Sequence, residues 1–318
     1  MAYVASDTIL DDEYNNFVNS SSSPFGWNHF AGTGSLQYGL GESTISTVSV
    51  GALVEATSWN TLFTNMSTIA GHTGDTLTSR SAVSAGDTIA IKAAVAADLA
   101  TLAASVAAGS PNTSAITTSG TLQSPSSNST WTGTFTTEVT ATFASANAMR
   151  FFFNAGGKIR LDPVRTGNGG ASGASGKDGN WDNLNNAVGN LDIGSQSSTR
   201  GSGETLTTDG LSNGFYDLTT SYTTILKLTD DTYPYTANTI EIQAKVNATP
   251  GSSTSITVKT IATDGADDFT FNDGSADNFA YRNGQHEHRL ISIDTTTGGG
   301  LANAYAPSST SSTVVSAG

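Results

Sequence analysis

Five aspartates between residues 264 and 277 could together bind a calcium ion. They are Asp264, Asp267, Asp268, Asp273 and Asp277. Calcium accepts carboxylate oxygens if a turn gathers them, although this spacing does not match the loop of an EF-hand. The Asp-Gly turns of a β-hairpin explain the same residues without a metal.

Two histidines further along the chain could bind a transition metal. His286 and His288 are separated by one residue, so both side chains would lie on the same face of a β-strand. In a threefold assembly, three such pairs could direct their imidazoles at one iron ion on the axis. The exposed start of an ordinary strand is the simpler interpretation. We therefore predict no cofactor, and keep calcium and iron as alternatives.

Two common local signatures of catalysis are absent from the sequence. It has no His-Glu-x-x-His and no cysteine, and His29 and His72 have no recognisable nucleophile partner. A glycine-rich stretch between residues 166 and 179 lacks the spacing of a phosphate-binding loop. We predict that the chain is not an enzyme. A polysaccharide depolymerase is the alternative, because acidic residues that could act in pairs are abundant.

Composition favours a structural protein and disfavours several partners. The chain has 318 residues, of which 36% are hydrophobic and only 13% charged, together with 34 glycines. Such a composition is typical of β-rich, turn-rich proteins with hydroxylated surfaces. The net charge of −14 disfavours binding to nucleic acids and to anionic membranes. The first residues lack the pattern of a signal peptide, and no apolar run is long enough to span a membrane.

Hydrophobic periodicity predicts helices in the first part of the chain and mainly strands after residue 120. The clearest helix follows Thr57 and carries Trp59, Phe63 and Met66 on one stripe. We interpret this stripe as part of the core, with a subunit contact as the alternative. Other helices are predicted at residues 7–19, 87–108 and 181–191. Strands are predicted at residues 44–54, 214–218, 223–229, 239–246, 255–263, 269–272 and 288–294.

These elements predict an α+β fold. A region rich in hydroxyl groups and prolines at residues 110–128 is the best candidate for a domain boundary. We predict a helical and irregular assembly region at residues 1–120. A mostly antiparallel β-rich domain, either a sandwich or an open sheet, would follow at residues 121–306. Residues 307–318 would form a flexible tail.

The densest structural signals lie in residues 131–161, which predict a strand, a helix and a second strand. Ser145 would cap the helix, and Gly156 with Gly157 would end it. Three consecutive phenylalanines on one helix point in different directions and need burial on several sides. Any side that the chain left open would have to be covered by a second subunit. The predicted packing and assembly residues are Trp59, Phe63, Met66, Phe151, Phe152 and Phe153.

This part of the chain also carries a recognisable pattern. Its residues are Thr142, Phe143, Ser145, Arg150, Phe151, Phe152, Phe153, Asn154, Gly156, Gly157, Ile159 and Arg160. The pattern resembles a segment of virion structural proteins from tailed bacteriophages, often marine and cyanobacterial ones. Residues 59–69 and 181–191 resemble further helices of such proteins.

The resemblance implies a virion component that is assembled in the bacterial cytoplasm. Within that family, the expectation is a neck or tail appendage, a fibre-like homotrimer in contact with other virion proteins. The resemblance supplies no catalytic residues. A capsid decoration or head-fibre protein is one alternative. A host-glycan-binding module, with Tyr233, Tyr235 and Tyr281 exposed on loops, is another.

Overall fold

The chain folds into two compact units with an α+β architecture, as the sequence predicts. The computed structural model describes residues 11–87, 92–109, 116–119, 133–165, 176–200, 208–266, 269–270, 276–277, 286–295 and 305–317. The first unit comprises Met1–Thr117, Arg150–Gly157 and Asp294–Tyr305; the second comprises Thr118–Met149, Lys158–Ile293 and Ala306–Gly318. The predicted boundary near residue 120 is therefore incomplete, because two later segments return to the first unit.

Helices dominate the first unit. They are α1 (Asp11–Asn19), a short π-helix (Asn28–Gly32), α2 (Ala56–Thr73) and α3 (Lys92–Ala107). Helix α2 buries the predicted stripe and follows Glu55, so Thr57 is not its cap. It ends at Gly74, whose φ of 81° lies in the left-handed region that glycine adopts easily. Residues 7–10 of the first predicted helix lie outside the described part of the chain.

Strands dominate the second unit. In chain order the strands are β1 (Ile116–Ser119), β2 (Thr134–Thr142), β3 (Lys158–Arg165), β4 (Leu191–Ile193), β5 (Ser198–Arg200), β6 (Thr208–Asp209), β7 (Thr223–Thr229), β8 (Thr239–Val246), β9 (Ser255–Thr263), β10 (Phe269–Thr270), β11 (Ala276–Asp277), β12 (His286–Thr295) and β13 (Ser309–Ala317). The bounds of β7, β8 and β9 confirm the prediction from periodicity. Two helices lie between strands, α4 (Ala146–Asn154) and α5 (Gly176–Val188).

The main sheet of the second unit has six strands in the order β13-β2-β9-β8-β7-β6. All neighbouring strands of this sheet pair antiparallel. Burial alternates strictly along β8 and β9, with residues such as Ile240, Ile242 and Val258 buried and their neighbours partly exposed. One face of the sheet therefore forms the core, as the period of two requires.

A five-stranded sheet in the order β1-β12-β3-β4-β5 accompanies the six-stranded one. Arg160 on β3 forms a two-point ion pair with Asp192 on β4, with N–O distances of 2.6 and 3.0 Å. Helix α5 contacts β3 of this sheet and β7 and β8 of the other. Its buried residues Trp181, Leu184 and Val188 therefore contribute to a core shared by strands of both sheets.

The structure confirms the predicted strand, helix and strand at residues 131–161, but separates the two strands. Strand β2 lies in the six-stranded sheet and β3 in the five-stranded sheet. Ser145 caps α4 as predicted, because its hydroxyl accepts a hydrogen bond from the Ala148 N–H at 3.0 Å. The segment therefore connects two sheets and does not form a local hairpin.

Three predictions of secondary structure are wrong. Residues 214–218 form a 3-10 turn at Phe215–Asp217, because the Asp217 carboxylate accepts a hydrogen bond from the Gly214 N–H. Residues 307–318 are not a flexible tail, because β13 pairs with β2 and its ladder hydrogen bonds order the hydroxyl-rich chain. Residues 44–54 are extended but belong to none of the described sheets.

Candidate assembly site

All six predicted packing residues are buried by the chain itself. They are Trp59, Phe63, Met66, Phe151, Phe152 and Phe153. The ring of Trp59 lies 5.4 Å from Tyr14 and 6.0 Å from Phe17, so α2 packs its stripe against α1. The three phenylalanines of α4 are likewise covered. These side chains stabilise the fold and present no surface to a partner, so any assembly surface must lie elsewhere.

Arg150 binds a loop that precedes it by more than one hundred residues, and this role was missed in the sequence. Its side chain is only 4% exposed. The guanidinium donates hydrogen bonds to the carbonyl oxygens of Thr33 and Tyr38, and a longer one of 3.4 Å to that of Leu36. The Arg150 guanidinium carbon also lies 4.9 Å from the centre of the Phe151 ring. A single side chain thus donates hydrogen bonds to several backbone carbonyl oxygens of one loop.

Asn154, one helical turn further along α4, binds the same loop. Its amide nitrogen donates to the carbonyls of Leu36 at 3.0 Å and of Gly39 at 2.9 Å. We call residues 33–39 the clamped loop. Leu36 at its tip has a φ of 48° and is 53% exposed. A leucine adopts this left-handed conformation at a cost, so the clamp holds the loop in a shape that it would not adopt alone.

Both clamp residues belong to the pattern that resembles phage virion proteins, yet their role could not be read from the pattern. A buried arginine beside three phenylalanines did signal a polar contact inside the fold, because a buried guanidinium requires acceptors. The acceptors are backbone carbonyls of a distant segment, however, and a backbone carbonyl leaves no mark in the sequence.

Asparagine side chains explain why residues 43–54 are extended without joining a sheet. The Asn28 amide donates to the Ile45 carbonyl at 2.9 Å and accepts from the Ile45 N–H at 2.8 Å. Asn15 makes the same pair of bonds with Val48, at 2.9 and 2.8 Å. Each side-chain amide makes the two hydrogen bonds that a peptide group of a neighbouring strand would otherwise make. We call residues 43–54 the pinned segment.

The pinned segment ends in an apolar turn that projects into solvent. Val50 is 92% exposed and Leu53 is 80% exposed, and Ala52 between them is exposed as well. The turn is closed by a hydrogen bond of 2.9 Å from the Ala52 N–H to the Ser49 carbonyl. Gly51 has a φ of 80°, which this turn requires. We call residues 50–53 the apolar tip.

A second extended segment is held to the first unit in the same way. Asn60 on α2 exchanges two hydrogen bonds with the backbone of Val83, at 2.9 and 2.8 Å. Asp98 on α3 accepts from the Thr78 N–H at 3.1 Å and forms an ion pair with Arg80. The first unit is thus a helical core that uses side chains to fix extended segments on its surface.

The outward face of the six-stranded sheet carries a network of charged side chains. The ammonium nitrogen of Lys259 lies 3.1 Å from the Glu138 carboxylate and 3.6 Å from the centre of the Tyr222 ring. Lys245 lies 4.3 Å from the same ring centre. Thr224 and Gln243 donate to Glu241, each at 2.7 Å. The contact of Lys259 with Glu138 pairs opposite charges on the neighbouring strands β9 and β2.

The charges of this network shift the acidity of two of its members. Burial favours the neutral form of Glu138, but hydrogen bonds from Tyr222 and Lys259 outweigh it and hold the pKa of Glu138 below its usual value. Burial, together with the hydrogen bond to Glu138, raises the pKa of Tyr222. The tyrosine is therefore a stable donor and not a ready source of phenolate.

Only some of the predicted metal ligands lie among the described residues. His286 and His288 lie on β12, where the register pairs them with Arg165 and Pro163 of β3. The Asp264 N–H donates to the Gly133 carbonyl at 2.6 Å, which fixes the end of β9. Asp267, Asp268 and Asp273 lie outside the described residues. Among the residues that the structure describes, no three of His, Asp and Glu form a group that could hold a metal ion.

The aromatics proposed for glycan binding do not form one surface. Tyr233 is 79% exposed, but Tyr235 is buried, and Tyr281 lies outside the described residues. A cavity of about 20 Å³ beside Asp230 and α5 has room for little more than a water molecule. The apolar tip is thus the described surface most suited to binding another protein.

The fold and this surface define an α+β protein with a pinned, solvent-exposed apolar turn. A scan against protein-family models found no match for the chain, and searches of curated proteins and of solved structures found none either. None of the described helices is both long and apolar enough to cross a membrane.

Proposed function

We propose that this chain is a structural component of a tailed-phage virion, a neck or tail appendage that acts by oligomeric assembly. A homotrimer in contact with other virion proteins is the proposed form. The resemblance at residues 142–160 supports the virion role. The observation that carries the assembly role is the apolar tip, because Val50 and Leu53 lie almost fully in solvent on a segment that is otherwise fixed to the fold.

The energetics of the tip favour a role in binding. Burial of a valine or leucine side chain stabilises a contact by about 1.5–3 kcal/mol. Two such side chains within four residues therefore form a concentrated anchor. The hydrogen bonds of Asn15 and Asn28 fix the segment before a partner arrives, so that little conformational entropy is lost on binding.

The virion role is tested by locating the chain in intact particles. A tagged copy would be imaged by electron microscopy of purified phage. Label at the neck or tail supports the proposal. Label on the head would replace it with the capsid decoration alternative, and particles without the chain would contradict both.

The assembly role is tested with the double substitution Val50→Asp and Leu53→Asp. The two carboxylates should abolish formation of the trimer or binding to particles, because they cannot be buried in an apolar contact. Tyr233→Asp is the matched control, since Tyr233 is an equally exposed apolar side chain of the second unit. Equal assembly of the double variant and the wild type, measured by analytical ultracentrifugation, would show that the tip is not an assembly contact.

A further inference from the structure

The six-stranded sheet has β6 at one edge and β13 at the other. Strand β13 has nine residues and no neighbour on its outer side among the described strands. Proteins usually protect such an edge by shortening it, by placing lysine or proline on it, or by a β-bulge. Strand β13 is not protected by its length.

The sequence of β13 supplies neither lysine nor proline as protection. The chain carries no charged residue from Ala306 to Gly318, and no proline lies within the strand. The side chains of Ser311 and Thr313 are exposed hydroxyls on the face shared with Glu138. A bulge between Val314 and Ser316 interrupts the pairing with β2. Residues 309–314 therefore present a regular, uncharged edge.

We propose that the outer edge of β13 pairs with β13 of a second copy of this chain, antiparallel and about a twofold axis. The two six-stranded sheets would then join into one continuous sheet. An edge that pairs with itself in this way gives a closed contact, in which the same residues serve both copies.

The charge of the chain restricts where a second copy can bind. Two copies that each carry a net charge of −14 repel each other over most of their surfaces. An uncharged edge allows them to meet without bringing like charges together. A partner recognised by its basic charge would find no acidic side chain on β13 to bind.

The pairing rests on the proposed assembly function in one assumption, which is that the partner is another copy of this chain. It uses β13 of the second unit, whereas the apolar tip belongs to the first unit. A twofold contact at β13 can coexist with a threefold axis elsewhere on the chain. The two contacts can therefore fail separately.

Cysteine cross-linking tests the pairing directly, because the chain contains no cysteine of its own. Single cysteines would be placed at each residue from Ser309 to Val314, and the variants oxidised alone and mixed in pairs. Antiparallel pairing about a twofold axis predicts cross-links only between positions whose residue numbers add up to one constant. Opposed residues of such strands lie close enough for a disulfide. A cysteine at the exposed loop residue Thr220 is the control and should not cross-link.

A charge substitution provides an independent test. Ser311→Lys together with Thr313→Lys should weaken self-association at least about tenfold at low salt, because both paired edges would then carry like charges. Thr220→Lys, which places a lysine away from the edge, should leave self-association unchanged. Circular dichroism would check that both variants remain folded.

Several outcomes would overturn the pairing. A wild-type chain that is monomeric at about 100 μM, where a dimer of micromolar affinity would be complete, is one of them. Cross-linking of every cysteine with itself would indicate parallel strands and is another. A trimer without cross-links at β13 would overturn the pairing and leave the proposed assembly function standing. Cross-links that persist in the Val50→Asp and Leu53→Asp variant, together with trimer assembly equal to the wild type, would support the pairing while the proposed assembly site failed.

Discussion

Replacing Arg150 with methionine is predicted to release the clamped loop from the first unit. Methionine fills a similar volume but offers no hydrogen-bond donor. The carbonyl oxygens of Thr33 and Tyr38 would then lose the guanidinium that they share. The contact of the guanidinium with the Phe151 ring would be lost as well.

The hydrogen bonds of Arg150 set the size of the effect. The bonds to Thr33 and Tyr38 are charge-assisted, and each such bond contributes about 1.5–3 kcal/mol. The longer contacts to Leu36 and Gly34, at 3.4 and 3.5 Å, are weak. We therefore expect the free energy of opening the loop to fall by about 3–6 kcal/mol. This is a large part of the ~5–15 kcal/mol that stabilises a typical domain.

Hydrogen exchange followed by mass spectrometry measures this opening. The N–H groups of Gly39, Leu40 and Gly41 donate to the carbonyls of Phe30, Ala31 and Gly32 at 2.9–3.0 Å, and should be protected in the wild type. In the variant their exchange should accelerate by about two to four orders of magnitude. The effect should be larger in the loop than in peptides from α2.

Two control variants separate the clamp from a general loss of charge. Arg150→Lys keeps the charge but lacks the planar fork of donors, so it should restore only part of the protection. Arg160→Met removes the partly exposed ion pair with Asp192, which should cost about 1 kcal/mol or less and leave the loop unchanged. Exchange in Arg150→Met that matched the wild type would refute the clamp.

Three further predictions follow from burial and acidity. Phe152→Ser should destabilise the chain by about 3–5 kcal/mol, because Phe152 is completely buried; a stable variant in urea unfolding would contradict the packing of α4. Tyr222→Phe should raise the pKa of Glu138 in an NMR titration, because the carboxylate loses a hydrogen-bond donor. In the wild type, ionised Glu138 stabilises the fold above its ordinary pKa, and this stabilisation is lost as the pH falls through the lowered pKa of the folded state. The variant should therefore lose less stability on acidification. Burial lowers the pKa of His29, which stacks on Phe25 at 4.6 Å, so stability should fall as pH drops below about 6.5. His29→Phe should reduce that loss in thermal unfolding at pH 5 and pH 7, and an unchanged pH dependence would count against it.

Local periodicity predicted the regular elements of both units. The alternation of apolar and polar residues gave the bounds of β7, β8 and β9, and the apolar stripe of α2 identified its buried face. These signals are local, because each depends on which side chains lie on one face of one element. The sequence therefore determined the fold class and much of the core, including Trp59 and the phenylalanines of α4.

Long-range hydrogen bonds determine the conformation of the segments that periodicity did not predict correctly. The pinned segment has the composition of a strand, but Asn15 and Asn28 bind its backbone in place of a neighbouring strand. Residues 309–317 have the composition of a linker, but β2 gives them a ladder to pair with. Arg150 lies in a segment that the sequence singled out, yet its acceptors are carbonyls of the clamped loop. A backbone hydrogen-bonding group is the same in nearly every residue, so only the tertiary structure could show which side chains and strands would bind it.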